Sequence, residues 1–287
     1  MLSCDFGLIS FFVFDFDGTA IGGRTPVDQF PPDFSSFLDS LAHRGIAWAT
    51  NTAWDPKDQY ALILRSGVRS IPAFLSGHTG RILATVKNGI LCADKKHSEM
   101  VLKRDTTFFK TEQHRIRKII AALTRHIALH EIQYNAWSYN GLYLRYSRRD
   151  DAKVKKILAP LISDSSYYYY NPSSCGTVLL LPHYMNKGGI IKLMQKKLGV
   201  TSDTTCVAGD SFNDMPMFQP GIAAYMVCPA NARREIKVLV RASHGVVSKK
   251  KFSYGVIDGL TRLLATQCAL PELSLGSTTR VKSGLLR

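Results

Sequence analysis

No stretch of this chain approaches the ~20 consecutive apolar residues that a membrane-spanning helix needs, so a helical membrane protein is not expected. The six cysteines (Cys4, Cys92, Cys175, Cys206, Cys228, Cys268) include no CxxC pair. That argues against a disulfide framework or a zinc site and for reduced thiols in a cytoplasmic protein. Acidic residues are scarce, 22 Asp+Glu against 37 Lys+Arg, which leaves a net charge of +15. The excess would suit an anionic partner, yet no arginine-rich or aromatic-interleaved stripe accompanies it. The expectation is a solvated basic surface, with no nucleic acid and no membrane as partner. Internal repeats are missing. The apolar run Gly7–Phe14 lacks a basic lead-in and a cleavage pattern, and it ends in aspartates, so it does not read as a signal peptide.

What is present is a chain of 287 residues, 45% of them hydrophobic, enough for one large domain or two ordinary ones. It is organised around Phe11-Phe12-Val13-Phe14-Asp15-Phe16-Asp17-Gly18-Thr19. The apolar part reads as a strand buried on both faces. Residues two apart in an extended chain point the same way, so Asp15 and Asp17 can share one focus at the strand's end. Two carboxylates held together repel unless a cation or a shared proton relieves them, and a magnesium site is the simplest relief.

Downstream, the pattern predicts a helix through Phe34–Leu41, a strand at Ile46–Ala49 and a helix opened by Asp55-Pro56. A third strand follows at Ala73–Ser76. Strand and helix in alternation predict an α/β fold with a doubly wound, Rossmann-like parallel sheet. After Lys87 the grammar changes to hairpin signals at Asn88-Gly89 and Asn140-Gly141, mixed with two helices and further strands. Residues 88–183 therefore read as an inserted α+β cap. Residues 1–87 and 184–270 form the core, and 271–287 read as a tail of little periodicity. From Asn186 the parallel pattern resumes, with a helix over Lys187–Leu198 and a strand at Thr205–Ala208.

Four short stations carry candidate chemistry. Asp15 and Asp17 suit nucleophilic and acid–base roles, although Asp-Gly is also common in turns. Thr50, with Asn51 and Thr52 behind it, ends a strand; these are phosphate ligands or plain turn groups. Lys187 opens a helix at the wrong end of its dipole, with two glycines behind it. That local cost is sensible if the ammonium neutralises a phosphoryl group, and a solvated lysine is the alternative. Gly209-Asp210-Ser211-Phe212-Asn213-Asp214 offers oxygen donors for a hard cation, or an Asx turn capping a helix. Each station follows a strand or opens a helix, and all four can face one crevice.

Together the stations resemble the haloacid-dehalogenase-like phosphohydrolase superfamily. Asp15–Thr19 matches its DxDGT pattern, Thr50 its second motif, Lys187 its third, and Gly209–Asp214 its GDxxND. The position of the insertion is similar to the branch with a large α/β cap, which includes Cof-type and sucrose-phosphatase-like enzymes. The resemblance implies a magnesium-dependent phosphatase acting on a small phosphorylated metabolite, a sugar phosphate foremost, through an aspartyl-phosphate. Asp15 would be the nucleophile and Asp17 the general acid/base. Magnesium would sit on Asp15, the Asp17 carbonyl and Asp210, with Asp214 in support. Thr50, Asn51, Lys187 and Asn213 would hold phosphoryl oxygens. Relatives usually follow the second-motif Thr with Gly-Arg; this chain has Asn51-Thr52. Trp137, Tyr139, Asn140 and Arg145 in the cap are candidate substrate contacts, or ordinary hairpin surface. The alternatives are a phosphotransferase or mutase with the same intermediate, and a non-catalytic phosphate-binding regulator.

Overall fold

A computed structural model describes residues 9–23, 29–134, 142–163, 167–170 and 176–268. Trp137, Tyr139, Asn140, the Asn140-Gly141 turn and the tail 271–287 lie outside the described residues.

The apolar run forms β1 (Phe11–Phe14), whose four side chains are all buried. Alternation splits it between two cores. Phe12 and Phe14 join Trp48, Phe34, Leu38 and Leu62 on one face, while Phe11 and Val13 join Val207, Ile191 and Met194 on the other. Aromatic packing continues outward from Phe14, whose ring lies 5.3 Å from both Phe12 and Phe34.

From β1 the chain winds one way through α1 (Pro32–His43), β2 (Ala47–Asn51), α2 (Pro56–Arg65) and β3 (Phe74–Gly77). The expected start of α2 is there: Asp55 accepts from the Lys57 N–H at 2.8 Å, with Pro56 in the first turn. The later segments add α5 (Lys187–Leu198), β10 (Thr205–Ala208), β11 (Tyr225–Cys228), α6 (Arg234–Ala242), β12 (Val246–Val247) and α7 (Phe252–Cys268). These build the sheet in the opposite direction, giving the order β12-β11-β10-β1-β2-β3, with two further strands beyond β3. The six strands from β12 to β3 are parallel.

One boundary differs from the expectation. The Asn88-Gly89 hairpin joins β4 (Ile82–Lys87) to β5 (Ile90–Ala93), and both extend the main sheet, β4 antiparallel to β3 and β5 antiparallel to β4. The sheet thus runs past residue 88 to Ala93. Hairpin chemistry specifies the turn but not which sheet its strands join.

Between β5 and α5 lie α3 (Lys95–Thr124), β6 (Leu129–Tyr134), β7 (Leu142–Tyr146), α4 (Asp151–Leu158), β8 (Tyr167–Tyr170) and β9 (Thr177–Pro182). Their four strands form a second, antiparallel sheet in the order β6-β7-β9-β8. It has its own core, in which Ile116, Ile119 and Leu123 of α3 and Val154 and Leu158 of α4 meet Leu142, Leu144, Val178 and Leu180. The buried Arg81, between β3 and β4, pairs with Asp105 of α3 at 2.5 Å. The Tyr184 hydroxyl donates to the other oxygen of Asp105 at 2.7 Å.

Candidate active site at the switch of strand order

The sheet reverses its direction of growth between β1 and β10, and the carboxyl ends of those two strands bound the crevice where open α/β sheets place their chemistry. Asp15 is the first residue beyond β1, and its N–H continues the ladder to Ala208 O at 3.1 Å. Gly209-Asp210 follow β10 directly. Two stations some 190 residues apart in sequence therefore meet because their strands are neighbours.

Lys187 joins them. Asn186 caps α5, its side-chain oxygen accepting from the Gly189 N–H at 2.8 Å. Gly188 lets this turn lie against the loop after β10: a Cβ there would sit 2.2 Å from the Pro216 carbonyl oxygen. The fully buried Lys187 ammonium then donates to Asp15 Oδ1 and to Asp214 Oδ1, both at 2.6 Å. Asp214 is held on its other side too, its Oδ2 accepting the N–H groups of Asp210 and Ser211 at 2.9 Å in a capping box.

Asp210 lies opposite, accepting from the Thr19 hydroxyl at 3.2 Å. Gly18 makes this approach possible. Its φ is +77°, and a Cβ on it would fall 2.3 Å from Asp210 Oδ2. Asn231 braces the same turn, donating to Gly18 O at 2.6 Å and accepting from the Phe252 N–H at 2.8 Å.

The charges are unbalanced. Burial holds the Asp15 carboxyl well above the ordinary carboxylate range; Lys187 pulls it down, while Asp214 and Asp210 push it up. Burial, then Asp214, pushes Asp210 up to about 7 against the pull of Lys187 and the Thr19 hydrogen bond. For Lys187, burial favours the neutral amine, but Asp15 and Asp214 outweigh it and raise its pKa above the usual lysine value.

One oxygen each from Asp15, Asp210 and Asp214 lies within 4.8 Å of the others. This all-carboxylate donor set, short of positive charge, fits a hard divalent cation. Asp214, with both oxygens engaged, holds the loop and Lys187, leaving Asp15 and Asp210 to face an ion.

Asp17 is exposed at the mouth of the site, and its Oδ2 accepts from the Trp54 indole N–H at 2.7 Å. The Thr50 and Asn51 side chains are committed elsewhere than their sequence reading supposed. Both are fully buried; the Thr50 hydroxyl donates to Gln59 Oε1 at 2.5 Å, on the α2 side. Asn51 donates to Lys187 O at 2.8 Å and accepts from the Ser76 hydroxyl at 3.1 Å, so it seats the lysine's backbone. Asn213 Oδ1 is buried with no hydrogen-bond partner among the described residues. Arg145, on the face of the second sheet away from α3 and α4, pairs with its cross-strand neighbour Glu131 at 3.2 Å. Sequence reasoning missed Trp54, Gln59, Thr19 and Asn231. Only Thr19 carried a signal, as the last residue of the opening motif.

The doubly wound core with a second sheet inserted after β5 is a fold shared with solved haloacid dehalogenase-like hydrolases. The family model for sucrose-6F-phosphate phosphohydrolase matches residues 146–263, less than half of the chain. The sucrose-phosphatase of Synechocystis, solved with sucrose and phosphate, superposes with a TM-score of 0.62 at 17% identity, over 88% of this chain and 96% of that one. A haloacid dehalogenase-like hydrolase from Bacillus subtilis gives 0.55 at 18% identity, over 89% and 92%. A phosphoglycolate phosphatase from Thermoplasma volcanium is 40% identical over 77 residues, 25% of this chain. The chain spans 31% of the length of that curated relative. Among the described residues, no helix is long and apolar enough to cross a membrane.

Proposed function

We propose that this chain is a phosphatase that hydrolyses a phosphate monoester of a small metabolite, a sugar phosphate foremost, with magnesium and through an aspartyl-phosphate on Asp15. The observation that carries this reading is the buried Lys187 ammonium bridging Asp15 and Asp214, with Asp210 across from them. A carboxylate at the carboxyl end of the central strand is set to attack phosphorus, beside a fixed cation that opposes charge on the transferring group. Asp15, Asp210 and the Asp17 main-chain carbonyl would hold the magnesium. When bound, it supplies positive charge against the phosphoryl oxygens and favours the ionised Asp15.

Asp17, exposed at the mouth, gives its proton to the leaving oxygen as Asp15 bonds to phosphorus. It then takes a proton from the water that releases phosphate from Asp15. Beside Asp55, next to Trp54 in sequence, opens a cavity of about 520 Å³ lined by His78, Arg81, Ser98, Glu99 and Leu102 among others. That size and its mixture of polar and apolar walls suit the alcohol part of a small metabolite.

The test is phosphate release with MgCl₂ from 4-nitrophenyl phosphate and a panel of sugar phosphates, with Asp15→Asn as the blank. Loss of turnover in a folded variant is expected, and undiminished turnover overturns the reading. A phosphorylated acceptor in place of free phosphate would mark a phosphotransferase.

A further inference from the structure

The Trp54 indole makes the one hydrogen bond of the Asp17 side chain among the described residues, at 2.7 Å. The residue is firmly placed. Its carbonyl accepts from Gln59 Nε2 at 2.8 Å, and the same amide nitrogen reaches Ser76 O at 3.0 Å. Gln59 Oε1 is in turn held by Thr50. Asp55 caps α2 immediately after it, and Gly77 packs so tightly that a Cβ there would lie 2.6 Å from the Trp54 carbonyl oxygen. The Trp54 ring also stands edge-on to Phe16 at 5.6 Å, so the indole N–H is fixed from both ends.

An indole N–H donates and cannot accept. The Asp17 oxygen facing it accepts, and a carboxyl's carbonyl oxygen accepts better than its hydroxyl oxygen, so the contact favours a proton on the other oxygen, Oδ1. We propose that Trp54 is a positioning residue that fixes the Asp17 carboxyl and leaves Oδ1 as the oxygen that exchanges a proton with the substrate. The inference rests on the phosphatase reading above.

In the first step the Asp15–phosphorus bond forms and the ester P–O bond breaks, and the Asp17 Oδ1 proton passes to the leaving alkoxide. In the second step water attacks phosphorus, the Asp15–phosphorus bond breaks, and the water's proton returns to Oδ1. The sum is ester plus water to alcohol plus phosphate. Without Trp54 the carboxyl can rotate and carry its proton on either oxygen, so protonation of the leaving group becomes less reliable.

The test uses Trp54→Phe, which keeps a ring against Phe16 and removes the donor. kcat/KM is measured for 4-nitrophenyl phosphate, whose leaving group needs little protonation, and for phenyl phosphate, whose leaving group needs more. The ratio of the two is expected to rise by about tenfold or more over wild type. The inhibition constant of inorganic phosphate and the thermal midpoint should stay unchanged. Trp54→His, which retains a ring N–H, should bring the ratio back toward wild type. An unchanged ratio in folded Trp54→Phe overturns the assignment, whatever happens to total activity. Weakened phosphate inhibition matching the loss of rate overturns it as well. A wild-type protein that releases phosphate from neither ester overturns the phosphatase reading and this inference with it.

Discussion

Replacing Lys187 by methionine would keep most of the side chain's volume and remove the only positive charge bonded to Asp15 and Asp214 among the described residues. The ammonium is fully buried and makes two charge-assisted hydrogen bonds at 2.6 Å. Removing one partner of a buried ion pair leaves uncompensated charge and costs about 3–5 kcal/mol. For a chain of this size that corresponds to a fall in Tm of about 10 °C. The loss should depend on pH with a definite sign. The folded pKa of Lys187 lies above its ordinary value, so its contribution is fully present below the unfolded lysine pKa of 10.5 and disappears only at strongly alkaline pH. In the variant, the buried carboxylates can relieve their repulsion by taking up protons. The deficit should therefore be large at pH 8 and smaller at pH 5. Added MgCl₂ should recover part of it at pH 8. Thermal unfolding at the two pH values, with and without MgCl₂, measures all three effects. A variant that unfolds at the wild-type temperature at pH 8 without metal would refute the claim that Lys187 neutralises this cluster.

Two further outcomes follow from the same geometry. Asp210 has its pKa raised from 3.8 to about 7. The folded state therefore holds its proton more tightly than the unfolded state, and its ionisation removes stability as pH rises from about 4 to 7. Asp210→Asn should stabilise the metal-free protein by roughly 2–4 kcal/mol at pH 8, change nothing at pH 4 and abolish the thermal shift on adding MgCl₂. Urea unfolding across that range checks it. Gly18→Ala should reduce phosphate release and the magnesium response together, because a Cβ there drives into the Asp210 carboxylate and φ is +77°. Isothermal titration with MgCl₂ would show whether the metal site has been displaced.

The local parts of the site were legible in the sequence because their geometry is local. Asp15 and Asp17 lie two residues apart at the end of an apolar strand. Asp210 and Asp214 share one capped turn, and Lys187 opens its helix despite the unfavourable dipole. Gly188, which reads only as a poor helix former, proves to be the point where that helix presses on Pro216 O. Thr50 and Asn51 were harder to read. A strand end identifies the residue but not the direction its side chain takes, and a glutamine on α2 captured the Thr50 hydroxyl.

The sequence by itself determined the alternation of strand and helix, the paired carboxylates and the capped turns, since these depend on periodicity and on spacings of a few residues. Only the tertiary structure decided that β1 and β10 are neighbours, that β4 and β5 extend the main sheet, and that Lys187 spans Asp15 and Asp214. It also brought Trp54 to Asp17 across 37 residues. Contacts of that kind arise from sheet order and the packing of α2 and α5 against it, and they leave no short-range pattern in the chain.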